Sequence, residues 1–532
     1  MQFVTGKKWF CPFVLLVGVC ILAYSNSLQN KFMLDDDVVL FGEKGIENKS
    51  LWGLFTDYQW DFYRPVGHVF LWICYQLFGA NVVGYHSANL FLFVVMVGLV
   101  WVMVNVLTGD KPLALLTSLL YAVHPINNMI VNYVTASVLG TFVICLEISF
   151  ILFVVSCKDS ERRSGAGLYY GSLLFFVLGL LSHEMSFIFP LFIVGVLYFI
   201  KGEGWKNILR LSWPYFAMAF VYLIFRLNYF SLHKTMEGTA EILPQLGVYL
   251  ASLQALVVWY LGKLFWPQGI IFLWTGDIVF APWWEEMLKI IGIVAILVYL
   301  IFYRWRKGVN PWALSLWAIG FVPLGLAGFA YFSYSLLIIE PHWFYFTSIG
   351  FFLLMANGLL ALKKRIPLVL WIVLLASVLG SSLFCLRQSN TYWRDQETYS
   401  RYWLSLNTKN MTPYYGLGKS FLEKGRYREA IDYFEQGLKS VEYYNAFILA
   451  DLGYAEFLAG ETGKAQKYYQ AAVELDPTYS VIYHYWGQLY LREGNYGEAE
   501  HCYQKALQLY PKSNAYPKAL AFIRTQQSAT KE

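Results

Sequence analysis

The sequence predicts a polytopic α-helical membrane protein, with about eleven transmembrane helices, that ends in a solenoid of α-helical repeats. Three observations carry this expectation. Of the 532 residues, 58% are hydrophobic and 19% aromatic, while only 14% are charged; soluble domains run near 25% charged. Apolar runs of about 20 residues, enough to cross roughly 30 Å of hydrocarbon, recur from Trp9 to about residue 386. After about Asn390 these runs stop and a repeat takes over. A net charge of +5 is small for this length and argues against a nucleic-acid role. The seven Cys lie mostly in apolar runs and form no CxxC pair, so no disulfide or zinc framework is expected.

In order along the chain, Lys7 and Lys8 precede the apolar run from Trp9 to about Leu28, which reads as an uncleaved signal anchor. Directly behind it stand Asp35, Asp36 and Asp37. Ionisable groups at a membrane boundary are functional candidates; the plain alternative is an acidic turn that marks the end of the span. The stretch 30–83 follows, rich in aromatics such as Trp52, Trp60 and Trp72, and its apolar part, 66–78, reads as an interfacial helix. Further candidate spans lie near 84–107, 112–128, 130–156, 167–182, 184–200, 210–229, 245–265, 285–303, 311–332, 343–362 and 367–386. The bias of Lys and Arg in short loops puts Lys7/Lys8, Lys158–Arg163, Lys201/Lys206, Arg304–Lys307 and Lys363–Arg365 on the cytoplasmic side. The stretch 30–83 and the C-terminus are then external. That requires an odd number of spans, so 245–265 or the neighbouring 266–283 is expected to be re-entrant or interfacial.

The same parity places the scattered polar residues on the outer face: Asp35–Asp37, Arg64 in Tyr63-Arg64-Pro65, His86, His124 in His124-Pro125, Glu184 in His183-Glu184, and Glu340 and His342 in Glu340-Pro341-His342. Each has a bland alternative: a snorkelling Arg, a satisfied His at a span end, a loop Glu. A one-sided ring of acids, His and Arg around an aromatic loop points instead to a reaction at the outer surface with an anionic, lipid-borne substrate.

In the C-terminal part, Gly418, Gly453 and Gly487 are 35 and 34 residues apart, and Ala430, Ala465 and Ala499 keep the same steps. Phe434, Tyr469 and Tyr503 follow, then Gly437, Ala472 and Ala506, while Pro477 and Pro511 close the second and third repeats. Period and residue types match the tetratricopeptide pattern. The expected division is a membrane domain over 1–390 and a repeat domain over 391–532, with repeats near 411–444, 445–480 and 481–514.

Taken together, these features resemble the transmembrane and tetratricopeptide-repeat O-mannosyltransferases, GT-C-fold enzymes related to the protein O-mannosyltransferases. The features are the acidic pair after the first span, Tyr63-Arg64-Pro65, Gly84-Tyr85-His86, Ala122-Val123-His124-Pro125, the His183-Glu184 turn and the external repeats. The resemblance implies a GT-C-like membrane domain and a polyprenyl-phosphate sugar donor. The sugar would pass with inversion to a hydroxyl, of Ser or Thr in a protein, at the non-cytoplasmic face. It implies that an acid of the first loop is the general base, by position Asp36 or else Asp35. Arg64 would hold the lipid phosphate, with His86, His124, Glu184, Glu340 and His342 as further substrate or phosphate contacts. The late loop departs from the family, which has Glu-Arg there; Pro341 intervenes and His342 stands near the place of the Arg. Size and repeat number look bacterial, which implies an inner-membrane protein with its N-terminus cytoplasmic and its repeats periplasmic or extracellular.

The sequence requires no cofactor; a divalent metal at Asp35–Asp37 has no further support. The implied partners are the lipid-linked sugar, membrane lipid, and an acceptor or partner protein on the repeats. Two other functions compete. A non-catalytic, membrane-anchored repeat scaffold would need only one or two spans and no polar ring. A transporter would be expected to carry ionisable groups at mid-membrane and inverted repeats.

Overall fold

The computed structural model describes residues 10–42, 45–56, 63–158, 163–199, 202–229, 255–276, 288, 337–406, 410–440 and 445–529. Apart from residue 288, the expected spans 285–303 and 311–332 lie outside them. The chain divides into two units: Met1–Lys31 with Ser50–Arg394, and Phe32–Lys49 with Asp395–Glu532.

The first unit is helical because its sequence leaves little alternative. Within a bilayer every backbone polar group must be paired internally, and helices achieve this locally. Among the described residues, four helices are long and apolar enough to cross a membrane: Val82–Thr108, Val134–Lys158, Trp205–Arg226 and Leu368–Tyr392. Local chemistry sets their ends. The Asn81 side chain accepts from Val83 N–H at 3.2 Å before the first of these, and Gly109, in the left-handed region, ends it. Asp110 accepts from Leu113 N–H at 3.0 Å to start Lys111–Val123.

The expected span 112–128 is broken. Lys111–Val123 and Pro125–Asn132 meet at a bend of 59°, because Pro125 lacks an amide hydrogen and its ring clashes with a helical continuation. The expected interfacial helix 66–78 is Pro65–Phe78, which starts on its proline and buries Leu71 and Cys74. Buried amides knit the unit together. Asn30 donates to Asn132 (3.0 Å), Asn132 to Asn390 (2.8 Å) and Asn390 to the carbonyl of Ala23 (2.9 Å). This is the side-chain hydrogen bonding between helices that lipid-embedded proteins use. Among the described residues the only strands are Trp274–Gly276 and Leu337–Ile339, paired antiparallel, and the second leads directly to Glu340.

The second unit holds the repeats as helix pairs: Thr412–Glu423 with Tyr427–Lys439, Ala446–Ala459 with Thr462–Leu475, and Ser480–Arg492 with Tyr496–Leu509. Ala515–Ala529 follows them and Gln396–Ser405 precedes them. The repeated glycines are explained by close approach. A Cβ on Gly418, Gly453 or Gly487 would lie 2.3, 2.7 or 2.8 Å from the ring of Phe434, Tyr469 or Tyr503. The aromatic of each second helix therefore fills the space that its glycine leaves in the first. The segment Phe32–Lys49, which carries the acidic cluster, groups with this unit.

Candidate functional site

In the membrane unit, four of the residues singled out in the sequence converge. Arg64 precedes Pro65–Phe78, and Glu184 opens the turn Glu184–Ile188. Arg64 holds Glu184 with its planar fork: Nε donates to Oε2 at 3.1 Å and Nη2 to Oε1 at 2.6 Å. A second guanidinium, Arg226 in the last turn of Trp205–Tyr229, places Nη1 3.2 Å from Glu184 Oε2. Two cations thus share one carboxylate, and a positive charge is left over for an anion.

Around this pair lie two buried histidines. His183 Nδ1 accepts from Met185 N–H at 3.1 Å, so the ring's proton is on Nε2. That Nε2–H has no acceptor among the described residues. The His183 ring packs against the His342 ring at 5.1 Å. Burial and the nearby Arg64 charge both push His183 well below the usual range of histidine. The same two causes push His342 down to about 3, so both rings are neutral donors at physiological pH. Glu340 Oε2 lies 3.2 Å from His342 Nε2. Burial pushes Glu340 up to about 7, with Arg64 pulling it down and Glu184 adding to the rise. A buried donor without an acceptor costs about 1–3 kcal/mol. A ligand oxygen supplied to these donors would recover that cost.

His86 and His124 are placed differently. His86 is buried with its ring nitrogens 2.8 and 3.0 Å from the carbonyls of Val131 and Asn30. His124 Nδ1 accepts from Ile126 N–H at 3.1 Å and Nε2 donates to the carbonyl of Leu264 at 3.2 Å; it caps the turn that makes the bend. These side chains are used up in holding backbone.

The acidic cluster is ordered by its own segment. Asp36 is buried and starts the helix Asp36–Phe41; its Oδ2 accepts from Met33 N–H at 3.2 Å. Asp35 and Asp37 are exposed at their surface. Leu34, just before them, has φ of +57°, the one left-handed non-glycine residue among those described. That conformation costs an L-residue about 1–2 kcal/mol. Partial desolvation pushes the Asp37 carboxyl up and the Lys419 charge opposes it. Among the described residues no group of three His, Cys, Asp or Glu side chains is arranged to hold a metal.

Sequence reasoning passed over Arg226, His183 as a residue of the site, and Glu147. Arg226 carried a signal: it is a cation near the end of an apolar run, on the face that parity calls external. Glu147 is buried inside Val134–Lys158 with neither carboxyl oxygen hydrogen-bonded among the described residues.

Residues 64–229 match the family described as dolichyl-phosphate-mannose-protein mannosyltransferase, so the match begins at Arg64 and takes in Glu184 and Arg226. Residues 415–480 and 480–513 match tetratricopeptide-repeat models. The human protein O-mannosyl-transferase TMTC1 is 27% identical over 166 residues, 29% of this chain and 18% of the relative. The photosystem I assembly protein Ycf3 of Rippkaea orientalis is 36% identical over 106 residues, 18% of this chain and 61% of the relative. The chain therefore spans less than two thirds of the length of these curated relatives. An oligosaccharyltransferase from Archaeoglobus fulgidus superposes on 73% of this chain and 56% of its own, at 12% identity and a TM-score of 0.44, a likeness too low to carry an argument.

Proposed function

We propose that this integral membrane protein is a GT-C-type glycosyltransferase. It moves a sugar, mannose by family resemblance, from a polyprenyl-phosphate donor to a Ser or Thr hydroxyl of a protein at the non-cytoplasmic face. The observation that carries the reading is the pair Arg64 and Arg226 on a single Glu184, flanked by neutral histidine donors. It is the charge and donor set that a lipid-linked phosphate requires, in a stretch that matches a dolichyl-phosphate-mannose-dependent family.

In this mechanism the acceptor oxygen attacks the anomeric carbon from the side opposite the phosphate, which inverts the configuration. The bond from that carbon to the phosphate oxygen breaks as the new one forms. Asp36, or failing it Asp35, takes the hydroxyl proton, as a positioned carboxylate does in general base catalysis. The polyprenyl phosphate leaves with the electron pair, and the guanidinium groups stabilise the charge that develops on it. Glu184 cannot itself bind phosphate; it fixes the planes of the two arginines. His183 and His342 donate to phosphate oxygens. The tetratricopeptide repeats, external in this reading, present an acceptor or partner protein.

Purified protein in proteoliposomes tests this. It should transfer sugar from a polyprenyl-phosphate sugar to a Ser/Thr peptide, and a polyprenyl-phosphate sugar should copurify with it. Absence of transfer from any polyprenyl-phosphate sugar, with the donor site intact by binding, would contradict the reading.

A further inference from the structure

The segment Phe32–Lys49 belongs with the repeats, and its attachments lie at both ends of them. At its start, Leu34 N–H donates to Gln396 Oε1 at 2.7 Å. The Gln396 amide is itself oriented, because Nε2 donates to Ser400 Oγ at 3.0 Å. Gly416 in the first repeat makes the room: a Cβ there would lie 2.1 Å from Gln396 Nε2 and 2.5 Å from Ser400 Oγ. At its end, Asn48 accepts through its carbonyl from Lys512 Nζ at 3.2 Å, just past the second helix of the third repeat. Between these points Lys419 of the first repeat acts on Asp37.

The bond from Gln396 lands on Leu34, the residue with left-handed backbone, one position before Asp35 and two before Asp36. A non-glycine residue stays in such a conformation only where its surroundings over-determine it. Relaxation of Leu34 would turn the chain and re-aim both carboxylates.

We infer that the repeat solenoid, through Gln396 of the helix that leads into it and packs on Gly416, is the positioning element for the acidic segment, so that the repeats set the aim of Asp35 and Asp36 as well as presenting a docking face. The inference rests on the reading of Asp36 or Asp35 as the base. Gln396 acts through the backbone of Leu34; it is a positioning residue.

The test uses the full chain in proteoliposomes, with a short Ser/Thr peptide that makes no demand on a docking face. Gln396→Leu keeps the volume but removes the acceptor; Gln396→Glu keeps an acceptor for Leu34 N–H. Gln396→Leu should lower kcat by about tenfold or more, since misplacement by about 1 Å can cost about a hundredfold. Its KM for the donor should stay within about twofold, and amide exchange should quicken over 34–40. Gln396→Glu should stay close to the parent in both. Unchanged kcat or unchanged exchange in Gln396→Leu overturns the inference, as does an equal loss of kcat in Gln396→Glu. Asp36→Asn and Asp35→Asn are measured beside them. If both keep full transfer, the base assignment has failed, while the exchange data still report on the hold.

Discussion

Arg64→Ala separates phosphate binding from simple pairing with Glu184. Arg64 makes two charged hydrogen bonds to Glu184. Loss of one partner of a buried pair costs about 3–5 kcal/mol. Here the two side chains are 20% and 23% exposed, and Arg226 remains on the same carboxylate, so the stability cost should be nearer about 1–2 kcal/mol. The catalytic cost is separate. One charge-assisted hydrogen bond is worth about 1.5–3 kcal/mol, which is about 10- to 150-fold in kcat/KM. The assay is sugar transfer from a polyprenyl-phosphate donor in proteoliposomes, with thermal unfolding alongside, for Arg64→Ala, Arg64→Lys, Glu184→Gln and the double variant Arg64→Ala/Glu184→Gln. Arg64→Lys should recover activity only in part, having lost the fork. The double variant should regain stability, because no under-compensated carboxylate is left, and should remain as inactive as Arg64→Ala. If it regains activity as well, Arg64 serves only to neutralise Glu184 and the phosphate assignment is wrong.

Further predictions concern pH, the repeats and topology. Because Glu340 is raised from 4.5 to about 7, the folded state holds its proton more tightly than the unfolded chain. Its contribution to stability is present below about pH 4.5 and lost as pH rises through about 7; Glu340→Gln should flatten that decline in a pH series of melting curves. Tyr454 and Tyr485, stacked at 4.2 Å on the first helices of the second and third repeats, should matter for docking, since buried aromatic anchors dominate interfaces. Their replacement by Ala should raise KM for a protein acceptor several-fold and leave transfer to a short peptide unchanged; equal effects on both would exclude docking there. Cysteines introduced at Ser50 and Ser440 should both react with an impermeant reagent from outside, and labelling of one alone would refute the shared external face.

What could be read beforehand depended on how local the signal was. The repeats were legible because Gly418 and Phe434, like their counterparts, recur at a fixed step and pack within a single helix pair. Val82–Thr108, Val134–Lys158, Trp205–Arg226 and Leu368–Tyr392 were legible because apolar length is itself the signal, whereas Cys11–Tyr24, Gly165–Leu180, Glu184–Tyr198 and Ser348–Lys363 are shorter than their apolar runs suggested, and the run at 112–128 bends at Pro125. The partnership of Arg64 with Glu184 was less accessible: parity put both on one face, but the bidentate geometry is a tertiary fact. Arg226 was passed over, because an Arg near a span end is the ordinary result of snorkelling. His86 and His124 looked like substrate contacts, yet their ring nitrogens are taken by backbone groups. The grouping of Phe32–Lys49 with the repeats left no local trace, because Leu34 and Gln396 lie 362 residues apart in the chain.

The central claim is that an acid of the Asp35–Asp37 cluster takes the acceptor proton. Asp35→Asn, Asp36→Asn and Asp37→Asn keep side-chain shape and remove basicity, so sugar transfer by the three should be compared at matched expression and donor binding. A positioned base contributes about 10²–10⁴ in rate, so Asp36→Asn, or failing it Asp35→Asn, should fall by at least about a hundredfold with donor binding retained. Transfer within a few-fold of the parent in all three variants would contradict the mechanism.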